Sequence, residues 1–376
     1  MKGILFLFME KNLKFMVIES IELKNFRNYK DLNIEFDKGT NILYGDNAQG
    51  KTNILEAVYV SGTSKSHKSS KDREMIQFGM DECHIKTRFL KKEIPYRVDI
   101  HLKKNRPKGI AINGIPIKKA SELFGIMNII VFSPEDLSII KNGPQERRRF
   151  IDLELCQLDK LYVYNLVNYN KALIQRNQLL KDLSFHAELM DTLDIWDMQL
   201  ANYGGKLIER RKSFLLSLGE VVTRIHRSLT GEKEELHILY EPNVEPEGIL
   251  AALKRSRDRD IKQKITNVGP HRDDIGFCIL ENDLRKFGSQ GQQRTAALSL
   301  KLAEIEIVKK ITGDMPVLLL DDVLSELDSK RQNHLLNHIN EIQTLITCTG
   351  LDELIENRFE INRVYHIVNG TIGGKK

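Results

Sequence analysis

From Val17 onward, apolar and polar positions alternate. Ile21 and Leu23 stand between Ser20, Glu22 and Lys24; after a polar turn over 25–31, Leu32, Ile34 and Phe36 alternate with Asn33, Glu35 and Asp37. A period of two is that of a half-buried strand, so two strands joined by a turn are expected. A third strand, Asn41–Tyr44, runs into a glycine-containing loop, and behind it Ile54, Leu55, Val58 and Tyr59 mark one face of a helix. Residues 83–132 read as β-rich, with a hairpin at Asn113-Gly114, and Pro134 and Pro144 punctuate a loop.

No proline lies between Pro144 and Pro242, and Leu158, Leu161, Tyr162, Tyr169, Leu173, Leu179 and Leu180 recur at helical spacing. Two or more antiparallel helices are expected, but without the sustained heptads of a long coiled coil. One more strand is expected over 234–242, and residues 253–264 are strongly basic. From Gly269, strand and helix signals return and close with a hairpin at Asn369-Gly370. The outer parts therefore read as α/β and the middle as a helical insertion.

At 376 residues, two structural units are the reasonable expectation. Hydrophobic residues at 41% supply a core and argue against general disorder. A net charge of +5 permits contact with nucleic acid or an anionic membrane without demonstrating either. The four cysteines, Cys83, Cys156, Cys278 and Cys348, lie far apart with no C-x-x-C pair. That spacing speaks against a zinc site or disulfide framework and for reduced, mostly buried thiols in a cytoplasmic protein. No apolar run approaches the roughly 20 residues of a membrane span. At the N-terminus the apolar run Ile4–Phe8 stops at Glu10 and Lys11, and no cleavage site follows. Residues 1–15 are expected to be a leader or upstream-start extension, with folding from Met16.

Gly45-Asp46-Asn47-Ala48-Gln49-Gly50-Lys51-Thr52 matches the phosphate loop G-x-x-x-x-G-K-[ST], with a strand before it and a helix after it. Triphosphate oxygens need many donors at short range. Glycines turn backbone N–H groups inward, and the helix start adds a favourable dipole. Lys51 is expected on the β- and γ-phosphates of ATP, and the Thr52 hydroxyl on Mg²⁺. The run Pro316–Leu320 ends in Asp321 and Asp322. An unalternating apolar run suits a parallel strand buried on both faces, and two adjacent carboxylates there call for a cation. Asp321 is assigned to the metal shell and Asp322 to the attacking water; an N-cap for the following helix is the alternative. Downstream, Phe287–Arg294 opens a helix with Ser289 as a candidate N-cap and Gly291 exposing N–H groups, which makes a second anion site.

The 287–294 segment resembles the signature motif of ABC-type ATPases, in which serine and glycine hold the γ-phosphate bound to the opposite subunit. Ser325-Glu326-Leu327-Asp328 resembles the D-loop of the same family. The runs Leu23–Tyr29, Gly45–Asn53, Lys65-Ser66-His67, Phe132–Leu137, Gly269–Asp274, Ser289–Thr295 and Leu318–Asp328 more specifically resemble the RecF family, from Met16 to the C-terminus. The resemblance implies an ABC-type P-loop ATPase head, α/β with mixed sheets and flanking helices, over 16–145 and 265–376, with a helical lobe over 146–264. It implies an ATP-dependent homodimer whose nucleotide contacts include Gln292 and Asp328. It further implies DNA binding, single-stranded and duplex, at gaps and junctions during repair and replication, where RecO- and RecR-type mediators help load RecA; no membrane partner is implied.

Two departures from ABC ATPases imply slow hydrolysis: Thr347-Cys348-Thr349 stands where a switch histidine is usual, and Asp322 replaces a glutamate; stimulation of that hydrolysis by DNA is expected of the family that the chain resembles. The switch segment is placed at 133–136. Arg27 is a candidate nucleotide contact or a surface turn residue, and His67, His271 and Arg272 could line the ATP site or the DNA path. Basic runs at Lys65–Arg73, Lys103–Lys108, Arg147–Arg149 and Lys254–Lys264 are solvated faces or, together, a salt-sensitive DNA groove. A transporter ATPase subunit and a small-molecule P-loop kinase are the alternatives. The helical insertion weighs against the first; the signature and D-loop weigh against the second.

Overall fold

The computed structural model describes residues 14–68, 71–339, 341–350 and 360–373. The chain divides into two compact units, residues 1–135 with 304–376, and residues 136–303. The first begins with β1 (Lys14–Phe15), β2 (Val17–Phe26), β3 (Tyr29–Glu35), β4 (Thr40–Tyr44) and α1 (Lys51–Thr63). It continues with β5 (Glu82–Lys91), β6 (Ile94–Lys103), β7 (Gly109–Ile112), β8 (Ile115–Pro116) and β9 (Ile129–Phe132). Alternation in β2 and β3 buries Ile21, Leu23, Leu32 and Ile34, as the period of two requires. The expected hairpin forms at Asn113 and Gly114, both at positive φ as a two-residue turn demands.

The second unit carries α2 (Leu137–Lys141), α3 (Pro144–Leu158), α4 (Lys160–Asp182), α5 (Leu193–Thr230), β10 (Leu236–Glu241), α6 (Ile249–Gln263), β11 (Asp274–Ile279), β12 (Asn282–Asp283) and α7 (Leu284–Phe287). The helix α8 (Gln290–Thr312) begins in it and ends in the first unit. The first unit then resumes with β13 (Asp314–Met315), β14 (Val317–Asp321), α9 (Ser329–Ile339), β15 (Thr344–Cys348), β16 (Arg363–Val368) and β17 (Thr371–Ile372).

Two six-stranded sheets build the first unit. One is antiparallel, in the order β3-β2-β5-β6-β7-β8. The other runs β17-β16-β4-β15-β14-β9, parallel except for β17. Helix α1 touches strands of both sheets and buries Ile54, Leu55, Ala57, Val58 and Tyr59 in the shared core. Every residue of β14 is buried, as its unbroken apolar run predicts for a strand covered on both faces.

In the second unit α4 and α5 pack together, and β10 pairs antiparallel with β11. That pairing ties the chain beyond residue 264 to the helical lobe, so the unit extends over 136–303 where the sequence placed 146–264. The N-terminal extension is also shorter than expected. Lys14 and Phe15 already pair in parallel with Asp314 and Met315, while residues 1–13 of the expected leader lie outside the described residues. All four cysteines are free, two buried and two half-buried. Among the described residues no helix is long and apolar enough to cross a membrane.

Candidate nucleotide site

The phosphate loop connects β4 to α1. Gly45 has φ 147 and Gly50 has φ 112; a Cβ on the first would lie 2.4 Å from the Ile367 carbonyl oxygen, and on the second 2.5 Å from the Asn28 side chain. Conformation and space both require glycine at these two positions. Ala48 also sits at positive φ. The turn between β2 and β3 braces the loop: Asn28 Nδ2 donates to the Gln49 carbonyl at 2.9 Å, and the buried Tyr29 hydroxyl to the Gly50 carbonyl at 3.1 Å. From the other side, the Gly370 N–H donates to the same Gln49 carbonyl at 3.1 Å, and the Asn369 N–H to Gln49 Oε1 at 2.6 Å. Lys51 Nζ donates to the carbonyls of Gly45 at 2.6 Å and Asp46 at 3.0 Å, which holds the ammonium over the loop.

Opposite the loop, β14 delivers Asp321. Thr52 Oγ1 donates to Asp321 Oδ1 at 2.6 Å, Thr347 Oγ1 donates to the same oxygen at 2.9 Å, and Lys68 Nζ lies 3.1 Å from Oδ2. This donor set fits Mg²⁺: a hydroxyl and a carboxylate converge beside a phosphate loop, and the carboxylate already draws a cationic side chain. Thr52 and Asp321 would hold the ion, which would offset the charge of the triphosphate.

Asp322 takes a different course. At φ 52 its backbone turns out of the strand, its N–H donating to Thr347 Oγ1 at 2.9 Å. Asp322 lines a cavity of about 370 Å³ with Asn47, Pro134, Ser325, Glu326 and Thr347. Burial raises its carboxyl above the usual carboxylate range, and Asp321 adds to the rise, against the pull of Lys51 and Lys68. A carboxylate so raised, beside the loop, can hold or accept the proton of a water. Asp328 caps α9, accepting from the Arg331 N–H at 2.9 Å and pairing with its guanidinium at 2.6 Å.

The signature segment forms a complete capping box at the start of α8. The Gln292 N–H donates to Ser289 Oγ at 3.2 Å, and the Ser289 N–H donates to Gln292 Oε1 at 2.9 Å. Ser289, Gln290 and Gly291 are exposed, so a capped helix N-terminus faces solvent.

The Arg27 guanidinium is held by buried Glu56 at 2.8 and 2.5 Å and by the Glu74 carbonyl at 2.6 Å. Asn28 and Tyr29, the next two residues, reach the phosphate loop. His67 packs edge-on against Tyr59. His271 lies in the second unit, with Nδ1 2.6 Å from the Tyr169 hydroxyl and Nε2 3.0 Å from the Thr266 carbonyl; Arg272 donates to that carbonyl at 3.1 Å. Each of the four basic runs has a member in an ion pair, Lys68 with Asp321 and Lys103 with Glu82 among them. Arg147 is buried in a bidentate pair with Asp274 at 2.7 and 2.9 Å, and Arg257 pairs with Asp194 and Asp197. On the antiparallel sheet, Glu82, His84 and His101 also cluster. There Lys103 already neutralises Glu82 at 2.8 Å, and the two imidazoles stack at 3.8 Å with nearly parallel planes, so their lone pairs do not converge on one ion.

Fold and site together define an ATPase head of the ABC/SMC kind bearing a helical lobe. Residues 17–372 match the model of the RecF/RecN/SMC N-terminal domain. DNA replication and repair protein RecF from Lachnoclostridium phytofermentans is 60% identical over 357 residues, 95% of this chain and 99% of the relative. Its counterpart from Agathobacter rectalis is equally identical over the same shares. A solved structure of the recombination mediator protein RecF with ATP in the RecFOR pathway has TM-score 0.91 and 35% identity, covering 98% of this chain and all of that one. An Smc head from Pyrococcus furiosus, at 16% identity and TM-score 0.56 over 95% of each chain, shares the fold. The chain belongs to the RecF family.

Proposed function

We propose that the protein is an ATP-gated DNA-binding dimer of recombinational repair and replication. ATP sits between the phosphate loop of one subunit, with Lys51, and the Ser289-capped helix of a second, with Gly291, Gln292 and Asp328 completing the contact. The observation that carries this reading is the capped N-terminus of α8: it is built for an anion, is exposed, and belongs to a different unit from the loop. The RecF structure described with ATP supports the nucleotide, and the relatives' names support DNA replication and repair.

The finer reading follows from the same residues. Thr52 and Asp321 hold Mg²⁺, and Asp322 positions the attacking water. With a shorter acid and a threonine at 347, hydrolysis is slow and resets the dimer; DNA stimulates it. Contacts to DNA run along phosphates at gaps and single-strand/double-strand junctions, and RecO- and RecR-type proteins are the mediators in a cytoplasmic setting.

Sizing by light scattering tests this, with and without ATP and gapped DNA. Dimers are expected with ATP, more so with DNA, and not with Ser289→Arg, which should bind ATP as a monomer. Undiminished dimers in that variant would remove the two-subunit site.

A further inference from the structure

The geometry points to Glu234 as a positioning residue for the nucleotide-facing end of α8; this rests on the reading of that end as half of a two-subunit ATP site. Gln292 is the hinge of the argument. Its amide oxygen closes the capping box on the Ser289 N–H, and its Nε2 donates to Glu234 Oε1 at 2.9 Å. An amide presents an acceptor on one side and donors on the other. Flipping it would set oxygen against carboxylate and NH₂ against N–H, losing both bonds. The carboxylate of Glu234 therefore selects the one orientation in which the box is shut.

Glu234 is itself fixed. It follows the end of α5, and its N–H donates to Thr230 Oγ1 at 3.3 Å. His226 Nδ1 is 3.0 Å from Ser299 Oγ. The Ser299 proton goes to the Thr295 carbonyl at 2.8 Å, so Nδ1 is the donor in that pair. Two contacts thus tie the C-terminal end of α5 and the residues after it to α8, His226 to Ser299 and Glu234 to Gln292. Ser289 and Gly291 sit at the free end of this assembly. Glu234 touches neither nucleotide nor metal in this reading; it acts by keeping the helix start wound before ATP arrives, so that closure of the dimer need not order it.

The test compares Glu234→Ala, Glu234→Gln and Ser289→Arg by the dissociation constant of the ATP-bound dimer and by ATP affinity of the monomer. Glu234→Ala should weaken the dimer about tenfold, the usual scale of a lost helix cap, with monomer ATP affinity unchanged. Glu234→Gln, whose amide oxygen still accepts from Gln292, should stay within about twofold of the parent. Hydrogen exchange at 289–293 should quicken in the alanine variant and not in the glutamine one. If Glu234→Ala dimerises normally while Ser289→Arg does not, Glu234 has no positioning role though the two-subunit site stands. Equal loss in the alanine and glutamine variants, or unaltered exchange, would also overturn the proposal. Normal dimers in Ser289→Arg would refute the two-subunit site and this inference with it.

Discussion

Thr52 Oγ1 donates to Asp321 Oδ1 at 2.6 Å across 269 positions of sequence. The contact joins the first turn of α1 to the end of β14, so the phosphate loop and the acidic strand become one site through a single hydrogen bond. Asp321→Asn keeps the shape and removes the charge. ATP affinity in the presence of Mg²⁺ should fall by at least about tenfold, whereas affinity in EDTA should change little. Titration with a fluorescent ATP analogue under both conditions measures this; equal losses would mean that Asp321 serves the loop and not the metal.

Lys68 competes for the same carboxylate, with Nζ 3.1 Å from Asp321 Oδ2. The carboxylate is buried but the lysine is part-exposed, and with screening at the lysine the pair contributes on the order of 1 kcal/mol. In Lys68→Met, the Mg²⁺ concentration that half-saturates ATP binding should therefore fall by about two- to fivefold. A rise would show that Lys68 helps to bind the nucleotide complex.

These two contacts mark where reading from sequence succeeds and where it stops. The loop at 45–52, the acidic pair and the cap at Ser289 are each contiguous, and their chemistry is written in neighbouring residues. Lys68 reads as one member of a basic run because its partner is remote in sequence. The same holds for Arg27, whose partner Glu56 is also remote in sequence. The Glu234–Gln292 contact escaped notice because a glutamate following a helix carries no local signal. The lobe boundary expected at 264 differs from that of the compact unit for a related reason: pairing of β10 with β11 carries the chain past the change in composition there.

His271 gives a pH prediction. Burial pushes its imidazole down to about 4 from the ordinary 6.5, against the Thr266 carbonyl, which favours the protonated ring. The unfolded chain then binds the extra proton between those values, so stability rises with pH across that window and falls on acidification from about 6.5 to 4. The slope amounts to at most about 1.4 kcal/mol per pH unit. Urea midpoints at pH 4.5, 5.5 and 7 should show a shallower dependence in His271→Asn than in the parent. Parallel curves would place the titrating group elsewhere.

Arg176 gives the last prediction. It is fully buried, with Nε 2.7 Å from Asp197 Oδ1 and a second nitrogen 2.7 Å from Asp260 Oδ2; both aspartates are also fully buried. The cluster links α4, α5 and α6, and Arg257 adds a further bond to Asp197 at 2.6 Å. Burying such charges is not itself a large source of stability, since their desolvation offsets their attraction. Breaking the cluster on one side is different. Arg176→Met leaves Asp260 and Asp197 buried without their shared cation, which should cost about 3–5 kcal/mol. Asp260→Asn in the same background removes one of the stranded charges, so the double variant should be more stable than Arg176→Met alone. Urea unfolding of the parent, both single variants and the double completes the cycle. Strict additivity would mean that Arg176 and Asp260 do not depend on each other, and the lobe would then be held by its apolar packing alone.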